Sequence, residues 1–196
     1  MTLLDLRARP NPLSIEVPEI VRDLWSRRLV DIVKIPHPAL RREAESVGRP
    51  TPEIRRIVDR MRDAMKADRG MGLAAPQLNI NLRILVYRLP EDNAPFRVMI
   101  DPHLISAKGE QVGSEGCLSI PYLIADVRRP KEIIVKATDI LGRTVRRRAS
   151  ELEARVILHE MDHLDGILFV DRAEASTFHW ELPESSGLTS ASSVVR

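Results

Sequence analysis

The chain has 196 residues, of which 43% are hydrophobic and 30% charged, and its formal net charge is +2. This length fits one domain with a full hydrophobic core and short appendages. Aromatic residues make up only 4% of the chain, and its basic residues form no stripe, so we expect no direct nucleic-acid binding. No apolar run approaches the about 18 residues of a membrane span, so we expect no membrane association.

Cysteine usage and the first residues indicate the compartment. Cys117 is the only cysteine, which excludes an intrachain disulfide and favours a reducing environment. The opening residues contain no hydrophobic signal core. We therefore expect a cytoplasmic protein.

Composition divides the chain into three parts. Residues 1–31 are predicted to be an N-terminal extension, broken by prolines before a short helix near "PEIVRDLWSRRLV" and serving as a solvated or core-capping arm. Residues 32–172 are predicted to form the catalytic domain. Residues 173–196 end in the Ser-rich run "ESSGLTSASSVVR" and are expected to be largely disordered.

The first strong pattern inside the domain is helical. In "TPEIRRIVDRMRDAMKADRG", Thr51 is a candidate N-cap, Pro52 fits the first turn, and the apolar residues repeat at helical spacing. Three following runs, "LRILVYRL", "FRVMIDPHLI" and "KEIIVKATDI", are typical of strands, and the last of them turns into "RTVRRRA".

A second helix is predicted near the end of the domain. It opens with a capping box from Ser150 to Glu153 and ends at Gly166. Its apolar residues cover nearly its whole circumference, which indicates a buried helix. Strands before and around one buried helix favour an α+β fold.

This helix carries the sequence "ILHEMDHLDG", in which His159 and His163 lie one turn apart with Glu160 beside them. Two imidazoles on one helical face with an adjacent carboxylate are typical of a divalent metal site. Burial of Glu160 would cost several kcal/mol without a partner, and a metal-bound water would supply one. Glu160 is therefore the candidate general base.

Two histidines do not complete a metal site, so a third ligand is required. Phe169 stands where the metzincin pattern places its third histidine, which excludes that class. Glu181 or Glu184 could serve as in thermolysin-like enzymes, although both lie in a Pro-broken segment. Cys117, in "SEGCLSIPY", would complete a Cys-His-His set with one open position. Taken alone, it could equally be a small buried hydrophobic residue.

A further segment, "GMGLAAPQ" from Gly70 to Gln77, is a loop whose glycines allow close approach of the backbone to a ligand. Together, "GMGLAAPQ", "EGCLS" and "HEMDHLDG" resemble the three signature motifs of the peptide deformylases, in that family's order and at similar separations. The resemblance covers roughly residues 32–172. It implies an α+β fold in which antiparallel strands surround the buried C-terminal metal-binding helix.

The resemblance also implies an activity and a set of ligands. The enzyme would remove the formyl group from the N-terminal formyl-methionine of newly made polypeptides and release formate. Cys117, His159 and His163 would hold one divalent metal ion, Fe²⁺ in most of the family, with Zn²⁺, Ni²⁺ or Co²⁺ as alternatives. N-formylmethionyl nascent peptides would be the substrates, and the ribosome is a candidate partner.

Catalytic roles follow from the same resemblance. Glu160 would take a proton from the attacking water and later give one to the leaving amine. The backbone N–H of Leu118 and the amide of Gln77 would stabilise the oxyanion. Backbone around Met71 and Gly72 would line the substrate cleft.

Two neighbouring acidic residues would have supporting roles. Glu115 would support its loop, and Asp162 would orient an imidazole or a helix end.

The sequence departs from the family pattern at two positions, and other classes of protein stay open. Ile124 stands where many relatives have an arginine that helps to hold the peptide, and Leu158 stands where many have glutamine. One alternative is a zincin peptidase with an acidic third ligand. Another is a catalytically silent metal- or ribosome-binding protein that uses its basic surface.

Overall fold

Two antiparallel sheets and one buried helix organise the molecule, for which we use a computed structural model describing residues 12–26 and 31–182. The helices are α1 (Glu19–Ser26), α2 (Pro52–Ala67) and α3 (Glu151–Leu164). The strands are β1 (Gly72–Ala74), β2 (Ile84–Tyr87), β3 (Arg97–Lys108), β4 (Gln111–Cys117), β5 (Ile120–Arg129), β6 (Glu132–Thr138), β7 (Thr144–Ser150) and β8 (His179–Trp180). None of the helices in these described ranges is long and apolar enough to cross a membrane.

The strands form two sheets, with the orders β1-β2-β3-β6-β7 and β4-β5-β8, and all neighbours are antiparallel. Helix α3 packs against the larger sheet through one apolar cluster, which includes Leu85, Val135, Ile157 and Leu164. Its polar side chains reach the smaller sheet, where Arg155 contacts carbonyls of β4 and β5. The predicted α+β fold, with antiparallel strands around a buried C-terminal helix, is therefore confirmed.

Helix α2 begins as its sequence predicts. Thr51 is the N-cap, and its hydroxyl accepts a hydrogen bond from the backbone N–H of Ile54 at 3.4 Å. Pro52 occupies the first turn, where its missing N–H leaves no bond unmade. The apolar stripe is buried against the larger sheet, next to residues such as Leu73 and Ile84.

The start of α3 differs from the prediction. Ser150 occupies the N-cap position, but its side chain makes no capping hydrogen bond, so the predicted capping box is wrong. Glu153 instead accepts hydrogen bonds from the Tyr87 hydroxyl at 2.8 Å and from Arg147 Nη2 at 2.7 Å. A capping box requires that glutamate to turn back to the N-cap, and the nearer cation and phenol take its carboxylate. The end of the helix follows the prediction, because Gly166 adopts a positive φ of 71°.

Described structure extends beyond both predicted limits of the catalytic domain. Helix α1 buries Val21, and β8 pairs with β5 through Leu123 and Trp180. Residues 1–11, 27–30 and 183–196, parts of the predicted extension and tail, lie outside the described residues. The division at residues 31 and 172 stays a prediction.

Candidate metal and catalytic site

The three residues predicted as ligands lie together. Cys117 ends β4, while His159 and His163 are one turn apart on α3. One donor atom from each lies within 4.8 Å of the others, and Cys117 Sγ is 3.2 Å from His163 Nε2. All three side chains are buried. Within residues 12–26 and 31–182, this is the one cluster of three or more such donors.

The donor set fits a divalent ion. A thiolate and two imidazoles supply three positions of a tetrahedron and leave the fourth for water or substrate. His159 Nδ1 lies 2.9 Å from Glu115 Oε2, which leaves Nε2 of that ring available as a donor atom. A carboxylate behind the distal imidazole nitrogen is the usual support of a metal-binding histidine.

The pKa values of the two imidazoles are shifted in opposite directions. Burial alone lowers the pKa of both rings. For His159, hydrogen bonds with Cys117 and Glu115 outweigh burial and raise its pKa above the ordinary value. For His163, the charge of His159 adds to burial, and its pKa falls well below the ordinary value. Neutral imidazole is the form that binds metals.

Glu115 supports His159, a role that the sequence assigned to Asp162. Besides the contact with His159, Glu115 accepts hydrogen bonds from Arg129 Nε and Nη2 at 2.9 and 2.8 Å and from Arg155 Nη1 at 2.7 Å. Burial opposes its ionisation, but the charge and hydrogen bonds of Arg129 lower its pKa well below the ordinary range.

The prediction that Asp162 orients an imidazole or a helix end is not what the contacts show. Asp162 Oδ2 accepts from Arg129 Nη1 at 2.5 Å and from Arg172 Nε at 2.8 Å. Asp162 precedes His163 by one residue, so its side chain projects about 100° away around the helix. That direction takes it to the two arginines.

Glu160 is buried, and its surroundings differ from those of Glu115. Its Oε2 atom has no hydrogen-bond partner among the described residues, and burial raises its pKa to about 7. A Cβ atom at Gly72 would lie 2.8 Å from Glu160 Cγ. Gly72 therefore permits the close approach of the "GMG" loop to this carboxylate.

Gln77 and Leu118 both lie beside the thiol. Gln77 Oε1 accepts from the backbone N–H of Ala74 at 2.8 Å, which turns the amide nitrogen toward Cys117 Sγ, 3.6 Å away, and Ser119 Oγ, 3.3 Å away. Leu118 follows Cys117 in the turn between β4 and β5. Its side chain packs so close to Gly70 that a Cβ there would lie 2.7 Å from Leu118 Cδ1.

A cleft of about 380 Å³ opens over these groups. Its walls come from the loop at residues 69–72, the ends of β4 and β5, and one face of α3. Met71, Gly72 and Ile124 are among the residues that line it. Tyr122, Leu152, Arg155 and Val156 also line the cleft, and no motif in the sequence predicted this. Helical spacing places Leu152 and Val156 on the same face as the histidines, but apolar residues there predict burial and not a cleft wall.

Of the other positions considered for a third ligand, neither of the two that the structure describes supplies a donor atom to the histidines. Phe169, at the metzincin position, is buried and stacks on the His159 ring with centroids 6.1 Å apart. Glu181 is exposed, and its carboxylate is 3.3 Å from His179 Nε2. Glu184 lies outside the described residues. Of the candidates that the structure describes, Cys117 alone joins the two histidines.

Paired histidines and a glutamate on one buried helix, with a thiol beside them in the wall of a cleft, are the arrangement typical of metallohydrolases. Residues 29–178 match the family model for polypeptide deformylase. The chain therefore belongs to the peptide deformylase family. It is a metal-dependent hydrolase that removes the formyl group from the N-terminal formyl-methionine of newly made polypeptides and releases formate.

Individual relatives agree with this assignment. The chain is 44% identical to a peptide deformylase of Thermomicrobium roseum over 143 residues, covering 70% of this chain and 81% of the relative. It is 42% identical to that of Dictyoglomus thermophilum, covering 77% and 97%. Among solved structures, a peptide deformylase from Synechococcus elongatus in complex with actinonin has a TM-score of 0.72 at 40% identity, covering 76% and 83%. A Met-Ala-Ser-bound structure from Acinetobacter baumannii has a TM-score of 0.69 at 29% identity, covering 74% and 98%.

Proposed function

We propose that Cys117, His159 and His163 bind one divalent ion and that Glu160, Gln77 and Leu118 carry out hydrolysis of the formyl group beside it. The observation that carries the proposal is the convergence of the three donors next to a buried glutamate, one oxygen of which has no partner within residues 12–26 and 31–182. When bound, such an ion lowers the pKa of a water and polarises the formyl oxygen.

Glu160 is the proposed general base and acid. Its Oε2 atom accepts a proton from the attacking water as the new C–O bond forms at the formyl carbon. The same carboxyl then gives a proton to the amine nitrogen as the C–N bond breaks. The products are formate and a polypeptide with a free amino terminus. Its burial suits Glu160 to both transfers, as does the lack of a competing hydrogen bond to Oε2 in the part of the chain that the structure describes.

Gln77 and Leu118 are the proposed donors to the oxyanion. The carbonyl of Gln77 is held by Ala74, so the amide N–H groups point toward the thiol side of the cleft. The backbone N–H of Leu118 follows the thiol directly in the chain. Donors fixed before the reaction stabilise developing charge without reorganising, and loss of one costs about 10²–10³ in rate.

The cleft is the proposed binding site for N-formylmethionyl nascent peptides, with Met71 and Gly72 in its wall. Both residues line the cleft, and Met71 is 41% exposed. The Met-Ala-Ser complex of the Acinetobacter baumannii relative supports an N-terminal methionyl segment as occupant. Ile124, which packs against Gly116, provides an apolar contact in this wall.

Ferrous iron is the proposed native ion. A set of one thiolate and two imidazoles accepts Fe²⁺, Zn²⁺, Ni²⁺ or Co²⁺, so the donors limit the choice without fixing it. The resemblance of the three motifs to the family favours Fe²⁺. Metal analysis of protein purified without oxygen distinguishes these ions.

We further propose that the protein acts in the cytoplasm and meets its substrates at the ribosome. The single cysteine suits a reducing compartment. Newly made polypeptides carry their formyl group as they leave the ribosome, so co-sedimentation with ribosomes tests the partner. We also propose residues 32–172 as the catalytic domain, flanked by an extension and a tail.

Replacement of Cys117 tests the site. We expect Cys117→Ala to lose bound metal and to release formate from a formyl-Met peptide no faster than metal-free protein, because two imidazoles alone hold the ion weakly. The measurements are metal content and formate release under anaerobic conditions, with Thr144→Ala on the exposed face of β7 as control. Full metal retention by Cys117→Ala would contradict the proposed ligand set and favour an acidic third ligand.

A further inference from the structure

Residues 12–26 lie outside the part of the chain that matches the family model, which begins at residue 29. They nevertheless pack against the wall of the cleft. The apolar cluster behind β5, here called the β5 cluster, is shared by this segment and the smaller sheet. It includes Val17, Val21, Cys117, Ile120, Leu123, Ala125, Val127, Phe169 and Trp180, with Leu13, Ile15, Trp25 and Tyr122 packed against it.

Hydrogen bonds hold the segment at its first described residues. The backbone N–H of Leu13 donates to Asp171 Oδ1 at 2.9 Å, and Arg41 Nη2 donates to the carbonyl of Leu13 at 3.3 Å. Arg41 also pairs with Asp171, so the three residues form one connected group. Val17 and Val21 then bury their side chains in the β5 cluster. The segment is thus seated on the domain along its length.

Trp25, near the end of α1, connects the segment to the substrate cleft. Its indole Nε1 donates a hydrogen bond to the carbonyl of Pro121 at 3.1 Å. Pro121 and Tyr122 line the cleft, whereas no residue of 12–26 is among its lining residues. Trp25 therefore touches the outer side of a wall whose inner side faces the substrate.

The wall at this point has an unusual backbone. Tyr122 adopts a φ of +72°, a left-handed conformation that is costly for a bulky side chain. Such residues persist when the surrounding structure fixes them, and they are frequent at ligand-binding sites. Two hydrogen bonds hold the backbone around Tyr122. Trp25 donates to the carbonyl of Pro121, and the backbone N–H of Glu181 donates to the carbonyl of Tyr122 at 2.8 Å.

We infer that Trp25 is a positioning residue for the substrate cleft, and that the segment 12–26 braces the strained Pro121–Tyr122 wall from outside so that the peptide meets a preformed surface. The inference rests on the proposed assignment of the cleft as the peptide site. The side-chain hydrogen bond of Trp25 goes to Pro121 and not to the donor set, and Trp25 does not line the cleft. Its influence should therefore fall on peptide binding, with metal content and the hydrolytic step unchanged.

The sharpest test is Trp25→Phe, which keeps an aromatic ring in the β5 cluster and removes the N–H donor with only part of the indole. We expect KM for a formyl-Met-Ala-Ser peptide to rise about 2- to 10-fold, the usual effect of one lost hydrogen bond. The dissociation constant of Met-Ala-Ser, measured by calorimetry, should rise by a similar factor. We expect kcat and metal content to stay at wild-type values.

Trp25→Ala and Ile20→Ala complete the series. Trp25→Ala removes packing as well, so KM should rise further than in Trp25→Phe. Ile20 is on the same helix and 39% exposed, so Ile20→Ala should leave KM unchanged. If Trp25→Ala does not fold, Trp25→Phe still decides the question.

Other results would overturn either the inference or the proposed function on which it rests. An unchanged KM with a lower melting temperature would mean that Trp25 only stabilises the fold. A lower kcat accompanied by metal loss would mean that it acts on the donor set and not on the wall. An inactive wild-type protein would contradict the proposed function, and the Met-Ala-Ser dissociation constants would then still test the brace. With an active wild type, unchanged KM and dissociation constants contradict the brace alone.

Discussion

Two buried glutamates are neighbours of His159, Glu115 in space and Glu160 in sequence, and their surroundings are opposite. Glu115 accepts four hydrogen bonds from Arg129, Arg155 and His159. Glu160 has an oxygen without a partner among the described residues and faces the cleft beside Gly72. A carboxylate saturated by donors is fixed in place, whereas one left unpaired can exchange a proton with substrate. We therefore propose that the same side chain serves as a support in one environment and as a reactive group in the other.

The largest expected effect comes from removing the reactive carboxylate. Glu160→Gln keeps the shape of the side chain but cannot accept a proton, so we expect kcat to fall about 10²- to 10⁴-fold. Metal content should be retained, because the three donors are untouched. Formate release and metal analysis measure both.

Glu132→Gln, at an exposed position of β6, is the matched control and should match the wild type. Wild-type turnover by Glu160→Gln would show that another group moves the proton.

Local sequence identified one of these glutamates and not the role of the other. Glu160 lies beside two histidines on one helix, and helical spacing places those three side chains correctly from sequence alone. Glu115 reaches His159 only because β4 docks on α3, a contact across 44 residues that spacing within an element cannot specify. For the same reason, the sequence assigned the orienting role to nearby Asp162.

The fold shows the same division between local and long-range information. Thr51, Pro52 and Gly166 act within a turn of their own positions and were predicted correctly. Glu153 left its predicted cap because Tyr87, 66 residues away on β2, and Arg147, on the preceding strand β7, both donate hydrogen bonds to its carboxylate. Trp25 contacts Pro121 across 96 residues, and no local pattern in the extension indicates that contact. Periodicity predicted which faces are buried, but it did not predict which residues of distant elements contact each other.

A smaller effect on activity, with a larger one on stability, is expected from the supporting carboxylate. Glu115→Gln is the same chemical change as Glu160→Gln, but it leaves two buried guanidinium groups facing a neutral amide. Breaking a buried ion pair costs about 3–5 kcal/mol in the free energy of unfolding. Loss of the carboxylate behind His159 should also weaken metal affinity about 10- to 100-fold.

Urea denaturation and competition with a chelator measure these two quantities. Glu151→Gln is the control, since Glu151 also pairs with a cation, Lys131, but both side chains are more than half exposed. That control should change stability by no more than about 0.5 kcal/mol. If Glu115→Gln retains wild-type stability and metal affinity while kcat falls, the roles assigned to the two glutamates are reversed.

The smallest expected effect tests how much of the support comes from Arg155, a buried cation on α3. Its Nη1 atom donates to Glu115 at 2.7 Å and to the carbonyls of Gly113 and Val127 at 3.0 and 2.9 Å. Arg155→Met keeps a long apolar stem and leaves these acceptors without that donor, at a cost of about 1–3 kcal/mol in unfolding free energy. Metal affinity should fall less than in Glu115→Gln, because Arg129 still holds the carboxylate through two hydrogen bonds.

Arg146→Met, on the exposed face of β7, is the control for loss of a cation. Equal stabilities of the two variants by urea denaturation would mean that Arg129 alone fixes Glu115, and that Arg155 is available to the cleft that it lines.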